Sequence, residues 1–237
     1  MKRLSLLMAI SVVATSAFAQ SFSENFEGIV ATPTLVTGQE SWGAANMSSP
    51  IGPSNWFAGN PLEFPAHAGT DTSYVAANFF NGAGIAEISN WLFSPVRTFN
   101  NNDTISFWTR TVENVAFPDR LYLRLSTNGA SMNVGGAANT VGDFGTVLLV
   151  INENLTTTDY PNVWTKFLGT VTGLAGPAEG RFAFHYHILD GGPEGANSDY
   201  IGIDTIQYTA VPEPGSMIAL GLGAAALLAR RRKARRA

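Results

Sequence analysis

The sequence predicts an all-β fold arranged as a two-sheet jelly-roll sandwich. Apolar and polar residues alternate over several short segments, which is the pattern of half-buried strands. Loops rich in Gly, Asn, Pro, Ser and Thr separate these segments, and no stretch between the two chain ends shows the apolar stripe of an amphipathic helix. No repeat of fixed period is present, which argues against a propeller or a solenoid, and the uneven strand spacing favours a jelly roll.

At least eight segments have the alternation of strands. It is clearest between Arg181 and Ile188, where every second residue is Phe, Tyr or Ile. Two long loops are expected, Glu40 to Pro53 and Asn128 to Gly145. The predicted strands are Ser73 to Phe79, Ile85 to Phe93, Ile105 to Arg110, Arg120 to Leu125, Thr146 to Ile151, Trp164 to Val171, Arg181 to Ile188 and Tyr200 to Tyr208.

The last predicted strand changes its alternation halfway. Ile201 and Ile203 fall on one parity, whereas Ile206 and Tyr208 fall on the other. One extra residue in a strand, a β-bulge, shifts the alternation in this way, and we expect the bulge near Asp204. Such a bulge would re-aim the Asp204 carboxylate.

The N-terminus has the three parts of a secretory signal peptide, predicted over residues 1–19. A basic start, Met1 to Arg3, precedes an apolar run, Leu4 to Val13, and an A-x-A site, Ala17 to Ala19. Cleavage is expected before Gln20. Residues 20–210 then form the predicted jelly-roll β-sandwich domain, and their number suits a single domain.

The C-terminal segment, residues 211–237, also has three parts. Val211, Pro212, Glu213 and Pro214 form an extended turn, because the prolines disfavour a helix. The 13 uncharged residues from Met217 to Ala229 follow; as a helix they would span about 20 Å, against a hydrocarbon core of roughly 30 Å. The positive-inside rule places the basic run after them in the cytoplasm, namely Arg230, Arg231, Arg232, Lys233, Arg235 and Arg236.

This order of parts resembles the PEP-CTERM sorting signal of Gram-negative bacteria. The alternative, a buried core helix, would leave the six basic residues without partners. The resemblance implies a short transmembrane sorting helix that contacts the inner membrane transiently, because it is marginal as a permanent anchor. It also implies a processing enzyme of the exosortase type as a partner, with the product at the cell surface or in the extracellular matrix.

Charge is distributed unevenly along the chain. The full sequence has 14 Lys and Arg and 18 Asp and Glu, of which the two ends hold eight basic residues and one acid. The exported domain therefore carries 6 minus 17, or −11. Such a domain repels nucleic acid, which we do not expect as a partner, and it is compatible with bound divalent cations. Cysteine is absent, so no disulfide stabilises the domain.

Four motifs of the predicted domain carry a second resemblance. They are Phe22 to Gly28, Asn90 to Pro95, Ile105 to Trp108 and Tyr200 to Ile206. Together they resemble the choice-of-anchor J and cleaved-adhesin group, which is similar to the MAM-type jelly roll. The resemblance implies a noncatalytic extracellular module for binding or adhesion, whose fold carries structural Ca²⁺.

A calcium site is predicted from Glu27 and Asp204. The terminal strands of a jelly roll commonly lie side by side, which would bring these carboxylates together, and hard oxygen ligands suit Ca²⁺. Asn25 and Asp71 are possible further ligands. The alternative is that Glu27 and Asp204 are ordinary acids at the rim of the domain.

Aromatic residues provide candidate ligand platforms. Trp56 or Trp108 is predicted to stack on a sugar ring at the surface, although burial in the core is the default for each. His185 and His187 fall on one face of a strand together with Arg181. The solvated exterior of a strand explains them better than a metal site does.

The predicted function is that of an exported surface or matrix protein that binds extracellular polysaccharide or a surface protein and is not an enzyme. The net charge favours neutral or cationic glycans at low salt. One alternative is a polysaccharide-active hydrolase, although G-x-S-x-G, H-E-x-x-H and E-x-D-x-x-E motifs are absent. Another is a passive structural coat component.

Overall fold

A computed structural model of the chain describes residues 21–28, 34–36 and 41–211, which belong to one compact unit. The predicted signal peptide and, apart from Val211, the sorting tail lie outside the described residues. The strands are β1 (Phe22–Glu24), β2 (Thr34–Val36), β3 (Ser41–Asn46), β4 (Ser49–Ile51), β5 (Phe57–Ala58), β6 (Val75–Asn78), β7 (Gly82–Phe93), β8 (Arg97–Phe99), β9 (Thr104–Thr111), β10 (Leu121–Ser126), β11 (Thr146–Ile151), β12 (Thr165–Thr170), β13 (Ala178–Gly191) and β14 (Tyr200–Thr209).

The strands form two antiparallel sheets, and the predicted all-β sandwich is confirmed. The six-stranded sheet has the order β12-β9-β14-β6-β5, with β1 also paired to β14. The eight-stranded sheet has the order β11-β10-β13-β7-β3-β2, with β4 on β7 and β8 on β13. One 3₁₀ turn, Phe79–Asn81, links β6 to β7. In the described part of the chain, no helix is long and apolar enough to cross a membrane.

The core lies between the inner faces of the two sheets. On β13, Phe182, Phe184 and Tyr186 are fully buried, as the alternation of this strand predicts. Phe107 of the opposite sheet meets Phe184 edge to face, with the ring centroids 4.7 Å apart. Such aromatic contacts add about 0.5 to 1.5 kcal/mol each beyond the burial of apolar area. The core therefore depends on rings that the two sheets contribute together.

The first and last strands lie side by side. β1 runs antiparallel to β14, with Phe22 opposite Tyr208 and Glu24 opposite Ile206. The chain beyond Glu24 therefore continues toward the middle of β14. The terminal strands thus have the side-by-side arrangement on which the predicted proximity of Glu27 and Asp204 is based.

The expected bulge in β14 is present. Asp204 pairs with Trp108 and Gln207 pairs with Ser106, so three steps along β14 match two steps along β9. Thr205, next to Asp204, has a φ of 48°, which is strained for a β-branched residue. Because of the extra residue, Ile201 and Ile203 before the bulge and Ile206 and Tyr208 after it all face the core.

All eight predicted strands are present, but the prediction of a loop from residue 40 to 53 is wrong. β3 and β4 lie in this stretch. The sequence does not predict β3 because its centre consists of small residues, Gly43 to Ala45, which give little hydrophobic alternation. Small size is required at Gly43, where a Cβ atom would lie 2.8 Å from the sulfur of Met132.

Each sheet carries one long irregular segment on its outer face. Over the six-stranded sheet, Phe64 from residues 59–74 packs on Tyr74 and Tyr200, with centroid distances of 5.1 and 5.3 Å. Over the eight-stranded sheet, Phe144 from the predicted 128–145 loop packs on Trp91 at 5.7 Å. These two segments, called below the 59–74 loop and the 128–145 loop, determine which parts of the outer faces remain open.

Candidate functional site

Glu27 and Asp204 meet at the 59–74 loop. Oε1 of Glu27 accepts a hydrogen bond from the Thr70 amide at 3.2 Å, and Oε2 accepts one from the Ser73 hydroxyl at 2.7 Å. Oδ2 of Asp204 accepts a hydrogen bond from the Ala68 amide at 3.0 Å. The two carboxylates thus bind amides that are two residues apart on one loop. We call this arrangement the carboxylate clasp.

The two acids of the clasp differ in their surroundings. Asp204 is fully buried, whereas Glu27 is exposed. Burial raises the pKa of Asp204 to about 6, although amide hydrogen bonds from Ala68, Thr205 and His67 oppose the shift. The structure therefore places a desolvated carboxylate at the bulge of β14. A cation at this position would favour its charged form.

Backbone geometry at the clasp is unusual. Phe26 and Thr205 have positive φ values of 53° and 48°, and Gly69 has a φ of 84°. A Cβ atom on Gly69 would lie 1.9 Å from Oε1 of Glu27, so only glycine fits there. Strained residues on two segments, Phe26 after β1 and Thr205 in β14, are typical of a site where geometry is held by the surrounding structure.

The atoms of the clasp suit a hard cation in part. The two carboxylates and the hydroxyl groups of Thr70 and Ser73 supply oxygen donors, which Ca²⁺ prefers, and backbone carbonyls could add to them. Asn25 and Asp71 are both exposed, and neither side chain hydrogen bonds to the clasp among the described residues. No group of three or more His, Cys, Asp or Glu suited to a metal occurs in that part of the chain. Any Ca²⁺ here would therefore depend on carbonyl and hydroxyl oxygens as well as on carboxylates.

Trp56 cannot be a surface platform, so this prediction is wrong. Its side chain is 2% exposed and belongs to the main core between the sheets. Trp56 lies in a loop directly before the two-residue strand β5. So short a strand has no alternation from which the inward direction of Trp56 could be predicted. A buried indole is the ordinary position for tryptophan in a sandwich of this size.

Trp108 lies on the outer face of the six-stranded sheet and is only partly exposed. The ring of His67 stacks on it with centroids 3.9 Å apart and an angle of 19° between the planes. Nδ1 of His67 is 2.9 Å from Oγ1 of Thr205, so this stack is joined to the carboxylate clasp. One face of the Trp108 ring is thus already covered by the protein.

The 128–145 loop covers one half of the outer face of the eight-stranded sheet. Beneath it, His185 is 1% exposed, stacks on Trp91 at 3.6 Å and has Nε2 2.9 Å from the Ser89 hydroxyl. Burial lowers the pKa of His185 well below its usual value, which keeps the ring neutral. The interpretation of His185 as a solvated strand residue is therefore wrong, because the alternation of β13 gave no sign of the covering loop.

The other half of this face is open and carries an aromatic ring between two cations. Tyr122 of β10 is partly exposed, with Cζ of Arg120 5.3 Å and Cζ of Arg124 4.7 Å from its ring centroid. His187 and Glu87 adjoin them, with Nε2 and Oε1 2.9 Å apart. We call Arg120, Tyr122, Arg124 and His187 the cationic strip. The sequence signal was the spacing of Arg, Tyr and Arg on the outward parity of β10.

The folded domain ends at a fixed point just before the sorting motif. The amide of Val211 donates a hydrogen bond of 2.8 Å to Oδ1 of Asp103, and the amide of Ala210 donates one of 3.0 Å to the Ser21 hydroxyl. Asp103 is fully buried and also accepts hydrogen bonds from Tyr208 and the Asn100 amide. The first residue of the predicted sorting segment is therefore anchored to the sandwich.

These features define a jelly-roll β-sandwich whose outer faces carry the candidate binding groups. Residues 210–233 match the PEP-CTERM protein-sorting motif, so the predicted sorting signal is confirmed as a motif. This motif indicates an exported protein that is sorted to the cell envelope. No curated protein matches the sequence.

Solved cleaved adhesin domains of Lys-gingipain share the fold. The K1 domain from Porphyromonas gingivalis is 18% identical, with a TM-score of 0.51, over 81% of this chain and 99% of that one. The K2 domain is 16% identical, with a TM-score of 0.52, over 81% and 98%. The K3 domain from the same organism is 18% identical, with a TM-score of 0.50, over 81% and 100%. The predicted cleaved-adhesin resemblance is thus confirmed for the fold.

The raised pKa of Asp204 predicts a pH dependence of stability in the absence of divalent cations. The folded state binds this proton more tightly than the unfolded state, whose ordinary pKa is 3.8, so Asp204 adds stability as the pH falls through about 6. Between pH 7.5 and pH 5 the gain is about 1 kcal/mol, or roughly 2 to 4 °C in Tm. Asp204→Asn should lose this part of the gain, as measured by thermal unfolding in a chelating buffer.

Other groups also make the folded domain more stable at low pH. The contribution of Asp204 must therefore be obtained by comparing variants. Burial raises the pKa of Asp119 to about 6 as well, and this contribution remains in every variant. Glu113→Gln removes one exposed acid and should keep the wild-type dependence. Equal slopes for wild type and Asp204→Asn would show that Asp204 does not titrate in this range.

Proposed function

We propose that the protein is an exported, noncatalytic module that binds extracellular polysaccharide after an exosortase-type enzyme has processed its tail. The observation that carries this proposal is the partly exposed Tyr122 ring, held between Arg120 and Arg124 on the open face of the eight-stranded sheet. The sorting motif at residues 210–233 supports export. After processing at the inner membrane, the domain would remain at the cell surface or in the extracellular matrix.

The geometry of the cationic strip suits a sugar chain. The part of the Tyr122 ring that the guanidinium groups of Arg120 and Arg124 leave exposed offers apolar contact to a pyranose ring, and its hydroxyl offers a hydrogen bond. No hydrogen bond of the Tyr122 hydroxyl occurs among the described residues, and the flanking guanidinium groups are cationic hydrogen-bond donors. The 128–145 loop adjoins the strip, since Nη1 of Arg124 lies 3.4 Å from the Phe144 carbonyl oxygen. An extended glycan could therefore lie along the sheet beside this loop.

Replacement of Tyr122 tests the binding function. Tyr122→Ala removes the stacking surface and should weaken glycan binding about fivefold, since one stacked ring is worth about 1 kcal/mol. Tyr122→Phe keeps the ring and should retain most of the affinity. Affinity electrophoresis on a panel of neutral and acidic glycans provides the measurement.

The alternatives make different predictions in the same assay. Release of shorter oligosaccharides during incubation would favour a polysaccharide-active hydrolase. Retardation by no glycan would favour a surface-protein ligand or a passive coat. Trp108→Ala distinguishes the two sheets: if it abolishes binding while Tyr122→Ala does not, the ligand lies on the six-stranded sheet beside His67.

Processing of the tail is a second expectation. Residues 212–214 lie outside the described ones, but prolines at 212 and 214 disfavour a helix, so we expect Glu213 to be extended and accessible to an enzyme. We expect removal of the chain after the motif, with loss of the basic run. Intact-mass analysis of surface material provides the measurement. Full-length protein that still ends in the basic run, from cells with the processing enzyme, would contradict this expectation.

We further propose that Ca²⁺ stabilises the domain through Glu27 and Asp204. In this role the ion would compensate the desolvated carboxylate of Asp204 and join the end of β1, the 59–74 loop and β14. Asn25 and Asp71 remain candidate further ligands, because both lie on the segments that meet there. The loop carbonyls and the Ser73 hydroxyl would complete an oxygen shell of the kind that Ca²⁺ prefers.

Thermal unfolding with and without Ca²⁺ tests this site. A ligand at about 100 times its Kd adds about 2.7 kcal/mol, which corresponds to a Tm shift of several degrees for a domain of this size. Asp204→Asn weakens a hard-cation ligand and should abolish most of the shift, whereas Glu113→Gln should retain it. If Mg²⁺ or added NaCl reproduces the whole shift, screening of the net charge explains it instead.

A further inference from the structure

We infer that the cationic strip selects acidic polysaccharide, with Arg124 binding a carboxylate group of the sugar that stacks on Tyr122. This inference rests on the proposed function, because it names the ligand class of the same site. The net charge of the domain favours neutral or cationic glycans, and this inference reverses that expectation. The reversal follows from where the basic residues lie rather than from how many there are.

Basic residues are concentrated on one face of the sandwich. The sequence between the two processed ends has only six Lys and Arg, from 14 minus eight. Three of them, Arg120, Arg124 and Arg181, lie on the outer face of the eight-stranded sheet, and His187 lies among them. A ligand beside Tyr122 therefore meets the guanidinium groups of Arg120 and Arg124, against one acid, Glu87, that His187 already engages.

Arg124 is the residue best placed to bind an anion. Its Nη2 makes no hydrogen bond among the described residues and its Nη1 makes only a long one of 3.4 Å, whereas its buried Nε is out of reach of a ligand. Burial, and to a smaller extent the nearby Arg120, lowers the pKa of Arg124, yet a guanidinium stays charged at neutral pH. The side chain thus keeps donors without acceptors at the border of the 128–145 loop. A carboxylate could accept two parallel hydrogen bonds from it.

Arg120 supplies charge while neighbouring groups hold it in place. Its Nε donates to the His187 carbonyl at 2.9 Å, and its Nη1 donates to the Glu153 carbonyl at 3.2 Å. Its Nη2 is 3.4 Å from Nδ1 of His187, whose Nε2 is 2.9 Å from Glu87. Since Nδ1 must accept from Arg120, Nε2 carries the proton and donates to Glu87. The acid nearest to the strip is thereby engaged by His187.

No carboxylate lies within ion-pair distance of Arg120 or Arg124 in the part of the chain that the structure describes. Two guanidinium groups that flank one ring and lack acidic partners repel each other. An anionic ligand would relieve this repulsion, whereas a neutral sugar would not. Ring and charge together therefore favour a sugar that is flat on one side and carries a carboxylate at its edge, as a uronic acid does.

Paired glycans that differ only in charge test the inference. We would measure the binding of the domain to polygalacturonate and alginate, and to their methyl-esterified forms, by affinity electrophoresis and calorimetry at 50 and 500 mM NaCl. At least one acidic polymer should bind ten times or more tighter than its ester. This preference should fall at high salt, because ions screen an exposed pair.

Variants of matched charge locate the preference. Arg124→Gln should remove most of the preference for the acidic form, and Arg124→Lys, which keeps the charge but not the fork, should keep part of it. Lys166→Gln makes the same change of charge on an exposed residue of β12 in the other sheet and should leave the preference intact. Unchanged melting temperatures exclude misfolding as the cause of any loss.

The outcomes separate this inference from the proposed function. Binding of the esters as tightly as of the acids, or equal effects of Arg124→Gln and Lys166→Gln, would overturn acid selectivity and leave polysaccharide binding intact. Binding of no polymer, acidic or neutral, would overturn both. A similar weakening of binding to all polymers in Tyr122→Ala, together with loss of only the acidic preference in Arg124→Gln, is the expected pattern.

Discussion

The antiparallel pairing of β1 with β14 is the constraint on which the rest of the structure depends. It closes the six-stranded sheet with the two ends of the domain, and it brings Glu27 to the bulge at Asp204. The two carboxylates then hold the 59–74 loop, which buries Tyr74 and Tyr200 on the outer face of that sheet. The bulge of β14 thus helps to hold the loop that covers this part of the outer face.

The opposite sheet has no equivalent clasp, and this difference explains where a ligand has room. The 128–145 loop packs through Val134 and Phe144 on one half of the face, while the half that carries Tyr122 stays open. Buried rings under the loop add to the stability of the domain, whereas the partly exposed Tyr122 ring packs against His185, His187 and two guanidinium groups.

The alternation of residues was sufficient to predict the strongest strands and the bulge, since both depend on which side of a sheet each residue faces. It could not predict what covers an outer face, because a loop distant in sequence supplies the cover. His185 and Tyr122 illustrate this limit: both face outward, yet His185 is buried against Trp91, on which the loop packs, while Tyr122 is partly exposed. Trp56 was misplaced because a two-residue strand has too little pattern to show its direction. The Arg, Tyr, Arg spacing on β10 is visible in the sequence. The sequence does not show, however, that no carboxylate of the described residues lies within ion-pair distance of Arg120 or Arg124.

The position of the sorting motif joins the fold to its processing. Each of the fourteen described strands ends before residue 210, where the match to the motif begins. Asp103 accepts hydrogen bonds from both Tyr208 of β14 and the Val211 amide, so a buried carboxylate fixes the end of β14 beside the start of the matched motif. Cleavage beyond this anchor would remove no strand and no residue of the cationic strip. Every described strand and every residue of the cationic strip thus precedes Pro212.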